Sequence, residues 1–571
     1  MRHKSVAWKI QHLPFMRLKK ARRLAIQAVK ICLLAAMTAA TRGWCQDSTN
    51  APASSNAPDP LLDLLIQKGI LSQQEADRVE AEVQSRRTNN AGQMPSMPER
   101  QFAVGQAFKH MEFFGDARLR YEDRYAEDPV GNSIDLQRWR YALRFGVRGD
   151  LFDQFYFGFR MDTGASARSP WITAGSFSGS SSSVYPGPFG KSAAGLNVGQ
   201  IYIGWHPESW VDLTVGKMPN PLFTSTMVWS ANLAPEGFAE RFKYPVGPAQ
   251  FFANFGQFIY DDLNPNSASG SLGINGLVGQ HTDNIFMLAW QGGINYQITP
   301  KLTAKVAGTL YNYIGLQQST RSAFSGLSPY YGDPYIGEGD YYLSGGLTAP
   351  GNSGFGSGSG IAGYGSLNYP FNQVGLDNLE VIEIPFDLQY KIPQWKLETH
   401  LFGDFAYNLE GGQRADAAAS AYDAVIQANP AGVSPAPTHS LTPQKGDVKA
   451  YQVGIGIGSD DIDYGLEQGL VYGTSSPRHS WEVRAYWQHI EQYSLDPNLL
   501  DWDFFNGLEN LQGIYVAASY AFTGNVIGTF RYGHASRIND ALGTGGSSGD
   551  IPQINPVNNY DIYQVDLTVR F

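Results

Sequence analysis

The most regular feature of this chain is an alternation of apolar and polar residues with a period of two. In RWRYALRFGVRG (138–149), apolar residues occupy every second position, and most of the positions between them are arginines. Successive side chains of a β-strand point to opposite faces, so this pattern predicts a strand with one apolar and one charged face. Similar segments recur up to residue 571 and predict an all-β protein.

The connections between these segments alternate between tight turns, such as TPK and TGN, and long stretches rich in Gly, Ser, Ala, Pro and Asn. This alternation is typical of a transmembrane antiparallel up-and-down β-barrel, in which short periplasmic turns oppose long external loops. The fifteen segments lie at 112–122, 138–149, 154–162, 199–207, 210–218, 251–260, 286–298, 301–313, 379–392, 395–408, 449–458, 480–491, 511–522, 525–534 and 563–571.

Loop length and composition separate a membrane barrel from a soluble β-sandwich. A sandwich would also alternate, but compact domains rarely carry loops as long as 314–378 or 409–448. The chain contains 13% aromatic residues and has a mean hydropathy of −0.27. After residue 45 it has no apolar run long enough for a transmembrane helix. Tryptophans lie near predicted strand ends, as in the aromatic girdles of membrane barrels: Trp139, Trp205, Trp210, Trp395 and Trp481.

The direction of the strands sets their number. If Phe571 ends at the periplasmic side, upward and downward strands must alternate, yet the tight turn in QITPK (297–301) makes 251–260 and 286–298 point the same way. Either a strand between 261 and 284 lacks the pattern, or 251–260 belongs to a loop. We expect about 16 strands, within roughly 14–18, and prefer sixteen to fourteen because that size leaves an aqueous channel.

Residues 1–45 are predicted to be an export signal. Residues 1–30 contain nine Lys or Arg and no acidic residue, and the apolar run ICLLAAMTAA (31–40) has the length of a signal-peptide core. Met16 is an equally sensible start, and cleavage is expected after Ala40 or after Cys45. Cleavage after Cys45 would remove both cysteines, and with them thiol chemistry. It would also remove ten of the 42 Lys and Arg but none of the 52 acids, and the acidic remainder argues against nucleic acid as a partner.

A short helical segment is predicted between the export signal and the barrel. After a linker at 46–58, the stretch 59–87 has Asp59 and Pro60 to begin one helix, and the sequence SQQE forms a capping box for a second. We interpret this stretch as a periplasmic helical hairpin. It either packs on itself or contacts a partner such as the cell wall. A second linker, 88–111, leads to the barrel at 112–571.

Several stretches give the chain a family resemblance. They are LLDLLIQKGILSQQEADRVEAEV in the helical segment, VGKMPNPLF (215–223), LAPEGFAERF (233–242), WEVRAYWQHIE (481–491) and DWDFFNGLENLQG (501–513). Together they resemble the putative porins of Gram-negative outer membranes, of the general and phosphate-selective-like kind, over essentially the whole mature chain. The resemblance implies a passive diffusion channel in contact with outer-membrane lipid, and a homotrimer. It does not identify a solute.

Arginines are the best candidates for lining the pore. Seven of them lie on the polar faces of the first three predicted strands: Arg118, Arg120, Arg138, Arg140, Arg144, Arg148 and Arg160. Like-facing residues are about 7 Å apart along a strand and neighbouring strands about 4.8 Å apart, so these side chains could form one positive wall that favours anions. The alternative is that they pair with acids such as Asp116, Glu122 and Asp162 and simply solvate the interior.

The segment YQVDLTVRF (563–571) is predicted to close the barrel by pairing with the strand near 112–122. One face is apolar and is expected to meet lipid, and in resembling proteins barrel-assembly machinery recognises such a face with a terminal aromatic residue. The residues expected to form this assembly signal are Tyr563, Val565, Leu567, Val569 and Phe571.

Other functional patterns are weak. The histidines show neither catalytic companions nor metal-ligand spacing, and we predict no cofactor. The acidic stretches DDID (460–463) and DWDFFNGLE (501–509) are interpreted as solvated turns, because their spacing does not match a calcium loop. The constriction of the pore is expected in the loop 163–195, with 219–249 as the second candidate.

We therefore predict an outer-membrane porin that passes small hydrophilic solutes by diffusion and is not an enzyme. Two alternatives stay open. An anchoring or adhesion protein would use the helical segment and the long external loops. A barrel-type outer-membrane enzyme would need a Ser/His/acid cluster near the membrane edge, and no such cluster is evident in the sequence.

Overall fold

The computed structural model describes residues 108–571 with internal gaps. The predicted export signal, helical segment and linkers up to residue 107 lie outside the described residues. The gaps are at 130, 132, 165–168, 176–194, 262–284, 315–378, 418, 420–441, 463–465, 467–476, 541, 545–549, 552–553 and 555–556.

The described residues contain seventeen strands in a single sheet. A 3-10 turn at Pro393–Trp395 and a short helix at 411–417 lie in connections. Within the described ranges, no helix is long and apolar enough to cross a membrane. The strands are β1 Phe108–Glu127, β2 Ser133–Leu151, β3 Phe155–Thr163, β4 Ile172–Thr173, β5 Leu196–Glu208, β6 Val211–Lys217, β7 Glu236–Val246, β8 Ala249–Asp261, β9 Ile285–Thr299, β10 Leu302–Ile314, β11 Glu380–Ile392, β12 Leu397–Asn408, β13 Lys449–Ser459, β14 Trp481–Ile490, β15 Leu511–Ala521, β16 Val526–Arg537 and β17 Asn559–Arg570.

The sheet closes on itself. β1 pairs antiparallel with β2 on one side and with β17 on the other, so the first and last strands meet. β4 has only two residues and pairs with β2 just beyond the stretch of β2 that pairs with β3. The remaining sixteen strands form the wall, and the prediction of a closed antiparallel barrel of about sixteen strands is confirmed. Closure matters physically, because an open sheet edge would leave backbone groups unpaired in lipid.

The strand that the sequence pattern missed is β7. We expected it between 261 and 284 and assigned 219–249 to a loop; this was wrong, because Glu236–Val246 is a strand paired with both β6 and β8. With β7 included, 251–260 remains a strand and the directions alternate. β7 escaped notice because its two faces are not clearly different. Glu240 interrupts the apolar outward face, and Gly237, Ala239 and Pro245 make the inward face only partly polar.

The two ends of the barrel differ in their connections. At the turn end, where β17 finishes and β1 begins, six of the seven connections have at most four residues. The seventh connection, 460–480, is much longer. The opposite end, the loop end, carries the long connections. The first strand starts at Phe108, slightly before the predicted boundary at 112.

Side chains alternate between the two faces of the wall as predicted. On β1, Leu119 faces outward with 57% of its surface exposed, whereas Arg120 faces the interior and is 1% exposed. On β17, Val569 faces outward and Gln564 is buried inside. The five residues of the predicted assembly signal share this outward face, and Phe571 exchanges two backbone hydrogen bonds with Gly115 of β1. An apolar exterior with a polar interior is the reverse of a soluble protein.

The barrel lumen as the candidate functional site

The loop 218–235, between β6 and β7, folds into the lumen. Met218, Phe223, Met227 and Trp229 are almost fully buried. The loop is held to β9 by Gln291, whose Oε1 accepts from the backbone N–H of Phe223 (2.9 Å) and whose Nε2 donates to the Phe223 carbonyl oxygen (2.8 Å). A side-chain amide that satisfies both backbone groups of one residue docks an irregular segment without leaving unpaired polar atoms.

Hydroxyl groups tether the same loop to two acids of the wall. Thr224 Oγ1 donates to Glu383 Oε1 of β11, and Ser225 Oγ donates to Asp404 Oδ2 of β12, both at 2.5 Å. Tyr311 donates to the second oxygen of Glu383 at 2.7 Å. Both acids are buried. The two carboxyl groups also hydrogen-bond to each other, and the backbone of Ser225 forms a further hydrogen bond with Asp404, so the docked loop stabilises the carboxyl groups as they stabilise it.

A second loop, 491–510, enters the lumen between β14 and β15. Asp503 accepts a hydrogen bond from Arg120 of β1 at 2.6 Å, and Asn506 accepts one from Arg124 at 3.3 Å. Phe504 packs against Tyr515 of β15 with the ring centroids 5.1 Å apart. Charged and aromatic contacts therefore bind this loop to β1 and β15.

The two loops touch each other inside the barrel. The backbone N–H of Ser230 in the first loop donates to the carbonyl oxygen of Leu499 in the second at 2.6 Å. Asp496 of the second loop accepts from the hydroxyls of Tyr260 on β8 and Tyr313 on β10, at 2.7 and 2.9 Å. The loops thus form one continuous layer over a large part of the lumenal wall.

Two acids in the second loop have strongly different electrostatic surroundings. Burial raises the pKa of Asp501 to about 7, and the negative charge of Asp503 adds to the effect. Burial alone would also raise the pKa of Asp503, but Arg120 and Arg531 hold that pKa far below its usual value. Asp503 is therefore the ionised partner of the arginines, whereas Asp501 changes its charge near neutral pH.

The structure places all seven predicted arginines in ion pairs with carboxylates. The pairs are Arg118–Asp116 (2.5 Å), Arg120–Asp566 (2.7 Å), Arg138–Glu122 (2.5 Å), Arg140–Asp550 (3.3 Å), Arg144–Asp116 (2.8 Å), Arg148–Glu112 (2.9 Å) and Arg160–Asp162 (2.7 Å). This is the pairing that we gave as the alternative to an unpaired positive wall. These ion pairs do not establish a preference for anions, which stays a prediction.

Acids from distant segments complete the arginine cluster. Asp550, in the loop between β16 and β17, lies within 2.8 Å of Arg138 and 3.3 Å of Arg140. Burial would raise the pKa of Asp550, but the guanidinium groups around it, with Arg124 contributing most, keep that pKa below its usual value. Trp171, from the described part of the loop 163–195, covers Arg120, with the guanidinium carbon 4.0 Å from the ring centroid.

Both predicted constriction loops therefore contribute to the lumen, to different extents. Within the described residues, the first candidate contributes Trp171, whereas the second supplies the inserted loop 218–235. The interpretation of 501–509 as a solvated turn was wrong, because Phe504, Phe505 and Asn506 are at most 2% exposed. The apolar residues between the acids were the signal for burial. No group of metal-ligating side chains occurs among the residues that the structure describes.

Sequence reasoning missed the residues that hold the first loop. Gln291, Glu383 and Asp404 each lie within an apolar strand segment, where a polar residue signals a buried partner. That signal was available in EVIEIPFDLQ (380–389), where Glu383 faces inward. Its partner Thr224 is 159 positions away in the sequence, and no local pattern connects the two.

A closed sixteen-stranded barrel with an apolar exterior, a polar interior and loops folded into the lumen defines a channel protein of the outer membrane. A family model described as "Putative porin" matches residues 106–571, so the chain belongs to this family. Membership points to a channel rather than to an enzyme and implies the outer membrane of a Gram-negative bacterium.

Three solved structures that match the chain are porins. Pseudomonas putida OprB, in a high-pH structure, shares 10% identity with a TM-score of 0.39, over 81% of this chain and 94% of OprB. Pseudomonas aeruginosa OpdQ shares 10% identity with a TM-score of 0.35, over 82% of this chain and 99% of OpdQ. A mutant of the Rh. blastica porin shares 10% identity with a TM-score of 0.33, over 81% and 100%. No curated protein sequence matches the chain. The assignment rests on the family match alone.

Proposed function

We propose that this chain forms a water-filled channel through which small hydrophilic solutes cross the outer membrane by passive diffusion. The observation that supports this proposal is the lumenal wall, which is polar and is not covered everywhere. Arg241 on β7 keeps 35% of its side chain exposed inside the barrel, and Arg148 on β2 keeps 41%. Charged groups that remain in solvent on the inner face of a sixteen-stranded barrel support the presence of water in the lumen.

Conductance in a planar lipid bilayer tests this proposal. The purified protein is expected to give stable conductance steps, and vesicles that contain it are expected to swell in small sugars and progressively less in larger ones. Absence of conductance from correctly folded protein would exclude a channel. Conductance that saturates with solute concentration would argue against simple diffusion.

A small anion preference is the finer part of the proposal. Each of the seven arginines has a carboxylate partner, which removes most of the net positive charge that an unpaired wall would present. We therefore expect a reversal potential that lies only slightly on the anion side in a salt gradient. A cation preference would contradict the proposed anion preference but not the proposed channel function.

Partners form a further part of the proposal. We propose contact with outer-membrane lipid, recognition of the final strand by barrel-assembly machinery, and cell-wall contact through 59–87.

We also propose a homotrimer. Glu240 on β7 faces outward among Phe242 and Phe255 and accepts a hydrogen bond from Gln257 at 3.1 Å. A carboxylate facing lipid is unfavourable, and a neighbouring copy would shelter it. Sedimentation of the detergent-solubilised protein tests this: a trimer is expected, with Glu240→Arg dissociating it.

A further inference from the structure

The two inserted loops share one apolar core inside the barrel. The loop 218–235 supplies six buried apolar side chains to this core, and the loop 491–510 supplies five. All of them belong to one contiguous cluster, so a loop that leaves the lumen would expose apolar side chains of the other loop to water. The loop residues are Met218, Leu222, Phe223, Met227, Val228 and Trp229 from the first loop, and Leu495, Leu500, Phe504, Phe505 and Leu508 from the second.

A backbone hydrogen bond joins the loops directly. The N–H group of Ser230 in the first loop donates to the carbonyl oxygen of Leu499 in the second at 2.6 Å. Ser230 is fully buried, so this N–H group relies on the second loop for its partner. Release of the second loop would therefore remove both apolar and polar contacts from the first.

One strand of the wall supports both loops at neighbouring positions. The ring of Phe258 on β8 packs against Trp229 of the first loop, with the centroids 6.0 Å apart. Two residues further along the same inward face, the hydroxyl of Tyr260 donates to Asp496 at 2.7 Å and accepts from Asn498 at 3.1 Å. The two docking surfaces are therefore adjacent on β8.

The polar anchors of the loops, in contrast, lie on different strands. Glu383 of β11 and Asp404 of β12 accept hydrogen bonds from the first loop, whereas Arg120 of β1 donates to the second. Distant sites that share no partner ordinarily act independently. Coupling between these anchors must therefore pass through the shared core and the contact between Ser230 and Leu499.

We propose that the loops 218–235 and 491–510 leave the lumen together, as one cooperative unit, when either set of anchors is weakened. Each loop provides part of the docking surface of the other, so a state with one loop docked and one released is unfavourable. This inference rests on the proposed channel function and names its regulation: the channel has one higher-conductance level instead of two. Loop release itself can be measured without conductance.

Thiol labelling beneath the first loop, after a change in the second, tests the coupling. The full chain carries Cys32→Ser and Cys45→Ser, which remove both native cysteines, and Thr309→Cys as the reporter. Thr309 is 2% exposed and accepts a hydrogen bond from Gln291, the residue that holds the first loop to β9. The probe is a cationic methanethiosulfonate added to vesicles that contain the protein, and mass spectrometry reports the rate of labelling.

The second loop is weakened by Asp503→Asn, or by Leu508→Ala if the first variant does not insert. The matched control is Asp540→Asn, which removes a charge from an exposed ion pair. The double variant Thr224→Val, Ser225→Ala weakens the first loop directly and sets the labelling rate expected for its release.

Asp503→Asn is expected to raise the labelling rate of Thr309→Cys about tenfold or more. A rate equal to that of the Asp540→Asn control would overturn the inference, because the first loop would then stay docked without the second. Single-channel recordings of Asp503→Asn and of the double variant should show the same higher conductance level, and two different levels would also overturn it. If the protein does not conduct at all, the proposed channel function fails, whereas the labelling rates still decide whether the loops are coupled.

Discussion

The guanidinium group of Arg120, on the barrel wall, donates a hydrogen bond of 2.6 Å to Asp503, in the loop 491–510. Arg120 also contacts Asp566 of β17 through two nitrogens, at 2.7 and 2.8 Å. The arginine therefore has one carboxylate partner on the wall and a second one in the loop. A buried ion pair of this kind is strongly destabilised when only one partner is removed.

Asp503→Asn is predicted to release the loop 491–510 for part of the time. The substitution keeps the shape of the side chain but leaves Arg120 and Arg531 short of one negative charge, at a cost of about 3–5 kcal/mol to the docked state. We expect a larger mean conductance and a reversal potential shifted toward anions. The control is Asp540→Asn, because Asp540 pairs with Arg537 while 86% exposed, and surface pairs contribute little. Wild-type conductance in Asp503→Asn would show that this pair does not hold the loop.

Raising the pH through 7 is predicted to weaken the docking of the same loop. Burial and the charge of Asp503 raise the pKa of Asp501 to about 7, whereas the released loop would have the ordinary value. The docked state then binds a proton that the released state gives up. The resulting stabilisation is complete below about pH 4 and is lost as the pH rises through the docked-state value.

Single-channel recordings between about pH 5 and pH 8 measure this effect. The fraction of time in a higher-conductance state is expected to grow with pH in the wild type and to stay constant in Asp501→Asn. Asp503 does not contribute in this range, since its pKa lies far below it. Equal pH dependence in both proteins would assign the change to another group.

Removing the hydroxyl tethers is predicted to loosen the loop 218–235. In the double variant Thr224→Val, Ser225→Ala, the buried acids Glu383 and Asp404 each lose a donor, at about 1–3 kcal/mol per group. We expect more frequent transitions to higher conductance. Ser133→Ala, at an exposed position on β2, should behave as the wild type does. Steady wild-type currents from the double variant would rule out these tethers.

Gly115→Ala is predicted to destabilise the closure between β1 and β17. A Cβ at Gly115 would lie 2.5 Å from the backbone oxygen of Arg144 and 2.6 Å from the ring of Phe571. Overpacking of this kind lowers the free energy of unfolding by about 1–3 kcal/mol. Urea unfolding followed by tryptophan fluorescence should show a lower midpoint.

The matched control for this substitution is Gly308→Ala on β10. Gly308 also faces outward, but an added Cβ there has no heavy atom within 4 Å. Its unfolding midpoint should stay close to that of the wild type. Equal midpoints for the two variants would mean that β1 and β17 accommodate the methyl group by a small backbone shift.

Local patterns predicted much of the wall. The alternation in 138–149 placed Trp139 outward and Arg140 inward because the period of two is a property of the strand itself. The same reasoning failed for β7, where Glu240 faces outward and Pro245 inward. It failed again for 501–509. The acids suggested a turn exposed to solvent, whereas Phe504 and Phe505 are buried in the lumen.

The sequence by itself determined the class of fold, the facing of most strands and the approximate number of strands, since each of these follows from neighbours along the chain. Only the tertiary structure decided which charges meet. Arg120 is 383 positions from Asp503 and 446 from Asp566, and closure of the barrel brings all three together. Ion pairs in the lumen depend on strand register and loop insertion, which are long-range properties. For that reason the arginines could be identified from the sequence, but their partners could not.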